Sequence, residues 1–139
     1  MNRLSCFLLV IFVALAVDDV NAQFSKTVND FEIQHKECLR IKPDSTACSR
    51  VYFSQLDSIL PIVLERLKAQ LDVAEKTALI QEQSGWAKKK GEFFKVQDET
   101  FKYNLQEGIW KKDMIRITYQ QKAEFILKRI KSLLKRLKE

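Results

Sequence analysis

The sequence predicts an all-α protein: an up-and-down bundle of three or four helices, held by one disulfide, behind a cleaved signal peptide. Three observations carry this. Apolar residues recur at steps of three and four through most of the chain, the period of one helix face. The 139 residues include only three glycines and two prolines, too few for a many-turned β fold. Two cysteines, Cys38 and Cys48, remain once the leader is removed, an even pair.

The leader comes first. Arg3 supplies a positive start, and Leu4 to Val17 is an apolar run too short and wrongly flanked for a membrane span. Val20 and Ala22 are small enough for the minus-three and minus-one sites, so cleavage is expected after Ala22. That leaves residues 23–139 as a single domain. An N-terminal anchor helix is the alternative, opposed by Asp18 and Asp19 directly after the apolar run. Loss of Arg3, Asp18 and Asp19 raises the formal net charge by one from +6. Cys6 departs with the leader. In the oxidising pathway that a leader implies, Cys38 and Cys48 pair, a closure worth about 3 kcal/mol in the chain-entropy account. A reactive thiol pair would need a short Cys-x-x-Cys setting, which is absent. There is no Asn-x-Ser/Thr sequon.

The first mature helix is expected over Ser25–Ile41, with Phe24, Val28, Phe31, His35, Cys38 and Ile41 on one face. Lys42-Pro43-Asp44-Ser45 breaks it, and Asp44 or Ser45 can cap the next helix. The disulfide then staples two antiparallel helices across their turn.

Cys48 to Gln83 reads as one long helix. Its stripe is Val51, Tyr52, Leu56, Ile59, Leu60, Val63, Leu67, Leu71, Ala74 and Ala78, and the positions between carry charge. Pro61 predicts a kink, or a short break restarted by Asp57 or Ser58. Ser84-Gly85 reads as the stop.

A third helix is expected over Trp86–Gln106. Ala87, Phe94, Phe101 and Leu105 point inward, flanked by Trp86, Phe93 and Val96, with Lys88-Lys89-Lys90 as an exposed basic patch. Gly91 weakens it by about 1 kcal/mol relative to alanine. Gly108 lacks neighbouring turn residues, so a continuation or a tight break is expected there. The last helix runs from Ile109 to the C-terminus. Ile126, Leu127, Ile130, Leu133, Leu134 and Leu137 gather on one side and cations on the other, with only Phe125 out of place.

Little in this chain can do chemistry. His35 is the only histidine and falls on an apolar face, where a half-buried structural role fits best. His35 and Cys38 have metal-like spacing, but no second cluster completes a site. Asp98 and Glu99 are adjacent, so they diverge on a helix and read as surface charge. There is no phosphate-cradling glycine loop. No catalytic residue, metal or cofactor is expected.

The sharpest functional signal is the basic face of the last helix: Lys128, Arg129, Lys131, Lys135, Arg136 and Lys138. Such a face can lie on an anionic membrane, bind a sulfated glycan, or meet an acidic extracellular or cell-surface protein. The plainer reading is the wet side of a bundle helix, with cations favoured near its C-terminus. A secreted address argues against nucleic acid. Lys128-Arg129 and Lys135-Arg136 could be processing sites, but both fit the polar face of a helix, a poor protease substrate. The many aromatics could line a cavity for an apolar ligand, although core filling is commoner.

With its leader, its helical layout, its basic tail and the pair Cys38 and Cys48, the chain resembles small secreted insect proteins of the male accessory gland. The resemblance implies a seminal fluid protein acting on sperm storage or female post-mating physiology, and assigns no site residues. The expected function is non-enzymatic binding in an extracellular fluid. The alternatives are a membrane-active cationic protein or peptide precursor and, behind it, an apolar-ligand carrier.

Overall fold

The computed structural model describes residues 3–108 and 113–137, with side chains from Asn21 onward. The elements are α1 (Arg3–Ile41), α2 (Thr46–Gln70), α3 (Val73–Gln106) and α4 (Asp113–Arg136). Among the described residues there is no strand. The chain is an all-α bundle, as its periodicity predicts.

The break after Ile41 falls where Pro43 requires it. Ser45 caps α2, its hydroxyl accepting from the Cys48 amide at 3.3 Å. Cys38 and Cys48 are bonded, with Cα atoms 5.7 Å apart, and staple α1 to α2 beside this turn. Upstream, α1 begins at Arg3 and not at Ser25, and passes Ala22 without interruption. No proline or glycine lies in that stretch to end it. The expected leader, residues 1–22, otherwise falls outside the described side chains. Asn21, buried at its edge, donates its side-chain amide to the Leu137 carbonyl at the end of α4.

The largest departure lies in the middle of the chain. Cys48–Gln83 is not one helix. α2 stops at Gln70, Leu71 is extended with ψ 148°, and Asp72 starts α3. The Asp72 carboxylate accepts from the Glu75 amide at 2.8 Å, and the Glu75 carboxylate accepts from the Asp72 amide at 3.2 Å. This reciprocal capping box satisfies two otherwise orphaned amides. α3 then runs through Ser84, Gly85 and Gly91, so Ser84-Gly85 is no stop. Pro61 sits inside α2 at an exposed position and does not divide it. Gly108, at φ +69°, ends α3 in a tight break instead of continuing it. The Glu107 and Gly108 amides close that end on the carbonyls of Tyr103 and Leu105. The expected start at Ile109 lies outside the described residues.

Successive helices run antiparallel, so α2 and α4 lie parallel. These two make the most extensive contact in the molecule. Leu56, Val63 and Leu67 from α2 and Ile126, Ile130 and Leu133 from α4 are essentially inaccessible. α1 packs on α2 and adds Val28; α3 packs on α4 and adds Leu79. The ion pair Asp57–Lys90, at 2.6 Å, crosses from α2 to α3. Several expected core positions are exposed instead: Ile41, Val51, Ala74, Ala78, Ala87, Val96 and Leu105. Most lie on or beyond the edge of the α2–α4 contact, because the chain turns at Leu71 and α3 meets the bundle along a narrow strip.

Replacing Asp72 by alanine removes the cap and should cost about 1 kcal/mol, a lower urea midpoint at unchanged slope. Reducing Cys38–Cys48 should cost about 3 kcal/mol in the same measurement.

Candidate functional site

The apolar side of α4 is consumed by the core: Ala123, Ile126, Ile130, Leu133, Leu134 and Leu137 are all buried. What α4 offers to a partner is therefore its cations, and the fold divides them. Arg129 is not part of an open face. It is 7% exposed, donates to Gln83 Oε1 from Nε at 3.0 Å and from Nη2 at 2.8 Å, and also bonds Glu82. Its guanidinium lies 5.9 Å from the Trp86 ring centroid. Arg136 bonds the second Glu82 oxygen at 2.9 Å. Both arginines thus belong to the joint between α3 and α4. Hydrogen bonding to Arg129 holds the Glu82 carboxyl below its ordinary value, with Arg136 helping.

The lysines take the other direction. Lys131 reaches across to Glu32 of α1 at 2.7 Å. Lys128 and Lys135 are exposed, and neither pairs with an acid among the described residues. Lys138 lies outside the described residues. Lys128, Lys131 and Lys135 fall within about 60° of one another around the helix, forming one row along its outer side.

That row borders a seam between α1 and α4, which touch only lightly. Two hollows lie in it. One, of about 350 Å³, has Val28 and Leu134 beneath Ser25, Asn29, Lys131 and Lys135. The other, of about 280 Å³, is lined by His35, Lys36, Tyr52, Glu124 and Leu127. Glu32 lines both, so its bridge to Lys131 stands between them.

His35 is the half-buried histidine that its face predicts. Its ring stacks on Tyr52, with centroids 4.4 Å apart and planes within 7°. Its Nε2 hydrogen-bonds the buried Ser49 hydroxyl at 3.2 Å. Burial, then the Arg116 charge, lowers the pKa of His35. Burial, with Glu32 and Glu124 nearby, pushes the Tyr52 hydroxyl up to about 12, so it stays protonated. Among the described residues no three His, Cys, Asp or Glu side chains could hold a metal.

Phe24, Phe31 and Phe53 pack against the core, while the aromatics of α3 go into the α3–α4 joint. Phe125, the apolar residue out of place on α4, stacks on Phe93 at 4.8 Å and Trp86 at 5.7 Å. Lys90 and Lys122 lie over the Phe94 ring at 5.3 and 5.0 Å. Lys90 is therefore committed, while Lys88 and Lys89 are exposed. Asp98 pairs with Lys122 and Glu99 with Lys95, surface charge as their adjacency suggests. Glu32, Glu82 and Gln83 are not legible in the sequence as partners of α4, because they lie far from it along the chain and carry no local spacing signal.

Comparison with known protein families, curated proteins and solved structures finds no match. Among the described residues no helix is long and apolar enough to cross a membrane.

His35 makes stability depend on pH. Its folded-state pKa lies below 6.5, so below that value the unfolded chain takes up the proton first and stability falls. The melting temperature should drop as pH falls from about 7.5 to about 5. His35→Phe, which keeps the ring against Tyr52, should flatten that drop.

Proposed function

We propose that this chain is a non-enzymatic extracellular binding protein that meets an anionic partner through the row Lys128, Lys131 and Lys135. One observation carries the reading: the apolar face of α4 lies in the core, so its lysines act from the surface of a folded bundle. The Cys38–Cys48 disulfide suits an oxidising compartment. Seminal fluid is the setting that the resemblance of its layout suggests, with action on sperm storage or female physiology. The partner chemistry that fits a row of separated ammonium groups is a sulfated glycan or an acidic protein of a cell coat.

Membrane disruption by α4 fits less well. Inserting its apolar face would first require taking the bundle apart, since Ile126, Ile130 and Leu133 have no accessible surface. A processed peptide fits less well for a related reason: Arg129 of the first dibasic pair is buried against α3.

The test is heparin binding by the oxidised chain across a salt series, beside leakage of anionic vesicles. Heparin should bind and be released as salt rises, without leakage. Lys128→Gln with Lys135→Gln should weaken heparin binding about five- to tenfold, the effect of losing two exposed charge contacts. Leakage at low salt, or no binding to heparin, would overturn the reading.

A further inference from the structure

We propose that the smaller hollow of the α1–α4 seam is a binding site for a small primary amine in its ammonium form. This goes beyond the glycan reading and stands on different atoms: none of Lys128, Lys131 and Lys135 lines this hollow. Three side chains with an oxygen to offer line it, each from a different helix: Glu32 of α1, Tyr52 of α2 and Glu124 of α4. Gln120, also in its wall, already accepts from Arg116 at 3.3 Å. A primary ammonium head carries three N–H donors and no acceptor, so three oxygens around one space are its complement.

All three residues keep an oxygen free to accept. Tyr52 is 6% exposed, yet its hydroxyl makes no hydrogen bond among the described residues. Nor is that hydroxyl sealed in: among the described residues the buried polar atoms without a partner are Asn21 Oδ1 and Arg116 Nε. It therefore opens into a hollow. Glu32 and Glu124 both act on it, which puts its oxygen at the hollow that these two acids line. A polar group held on a buried ring without a partner gains from a donor brought to it. Glu32 gives Oε1 to Lys131 at 2.7 Å, while its Oε2 forms no ion pair among the described residues. Glu124 is exposed and pairs with no base among the described residues.

The other wall residues narrow the guest. His35 is neutral at neutral pH, because burial and then Arg116 lower its pKa, so it adds no competing charge. Arg116 is engaged by Asp113 at 3.2 Å. Lys36, exposed at the rim, is the one cation in the lining. It repels a second positive charge, so a monoamine fits better than a diamine. Leu127 is half-buried and offers the carbon part of the amine an apolar wall with surface still open. About 280 Å³ lies just under the range of drug-sized sites, so the guest is small. A quaternary ammonium brings the same charge but no N–H, and so loses what the three oxygens recognise. A neutral alcohol loses the charge that makes hydrogen bonds to carboxylates strong.

The experiment is isothermal titration calorimetry of the oxidised chain with phenethylammonium at low salt. Saturable binding at one site is expected. Its trimethylated analogue should bind about fivefold more weakly or worse, and phenethyl alcohol should give no saturable heat. Glu124→Gln keeps the size of the side chain and removes the unpaired carboxylate, and should weaken the amine about fivefold or more. Tyr52→Phe keeps the ring against His35 and removes one acceptor, and should weaken it about threefold. Lys128→Gln, outside the hollow, should lower heparin binding and leave the amine unchanged. Helical circular dichroism checks that each variant is folded. No saturable heat with the amine would overturn the proposal. So would equal binding of the trimethylated analogue or the alcohol, or parent-like binding by either Glu124→Gln or Tyr52→Phe. Because heparin is read in parallel, failure here and failure of the glycan reading are separable.

Discussion

The contact between α2 and α4 is the constraint on which the rest of this molecule depends. The two helices are parallel, so the chain between them must travel back along the bundle, by a long crossover or by another helix. α3 does that, and its length meets the requirement. The parallel pair buries Leu56, Val63 and Leu67 against Ile126, Ile130 and Leu133, with almost no accessible surface left on any of them. Burial of a leucine or isoleucine side chain is worth about 1.5–3 kcal/mol, so this one contact supplies most of the favourable apolar contribution. Pro61 is tolerated inside α2 because it sits on the solvent side, away from this seam of side chains.

α1 and α3 are attached to that pair by different chemistry. α3 carries one fully buried aliphatic residue, Leu79, and otherwise holds on through rings and charges. Phe93, Phe94 and Trp86 meet Phe125, and Lys90, Lys122 and Arg129 pair with acids while lying over the rings of α3. Such a joint trades apolar burial for directional contacts, each modest in water because its acids are half-exposed. Arg129 is the exception. It is buried and bonded through three nitrogens, so stripping it of its partners would strand a cation away from water. The same division explains why the cations of α4 do not behave as one patch.

The sequence carries these features unequally. The α1–α2 corner is fully legible, because a proline, an N-capping serine and a cysteine pair all act within one short stretch. The α2–α3 turn has a signal as local as that one: Asp72 and Glu75 form the Asp-x-x-Glu of a capping box. An apolar stripe that continues in phase through Leu71, Ala74 and Ala78 masks it. Periodicity records which residues would share a face if the helix continued; it does not record whether it continues. Ser84-Gly85 misleads for the converse reason. Glycine ends a helix when a left-handed residue is needed there, as at Gly108 with φ +69°, and otherwise only weakens it. The cationic row is legible as a face, but its division is not. Nothing near Arg129 in sequence announces Glu82 or Gln83, and only the return of α3 along α4 brings them together.

The disposition of α1 comes from where it is fastened. The disulfide fixes its C-terminal end to α2, whose Cys48 lies on the buried side. Against α4 it has a polar tether at its middle, Glu32 to Lys131, while the contact of Asn21 with the Leu137 carbonyl lies within the expected leader. A helix held covalently at one corner and by polar contacts elsewhere packs where its apolar residues direct it. On α1 those residues, chiefly Val28 with Phe24 and Phe31 beside it, favour the ridge of α2 over that of α4. The seam is the space left over. The Glu32–Lys131 bridge draws on one ammonium group of the row, so any anion that competes for Lys131 loosens α1 from α4 at its middle.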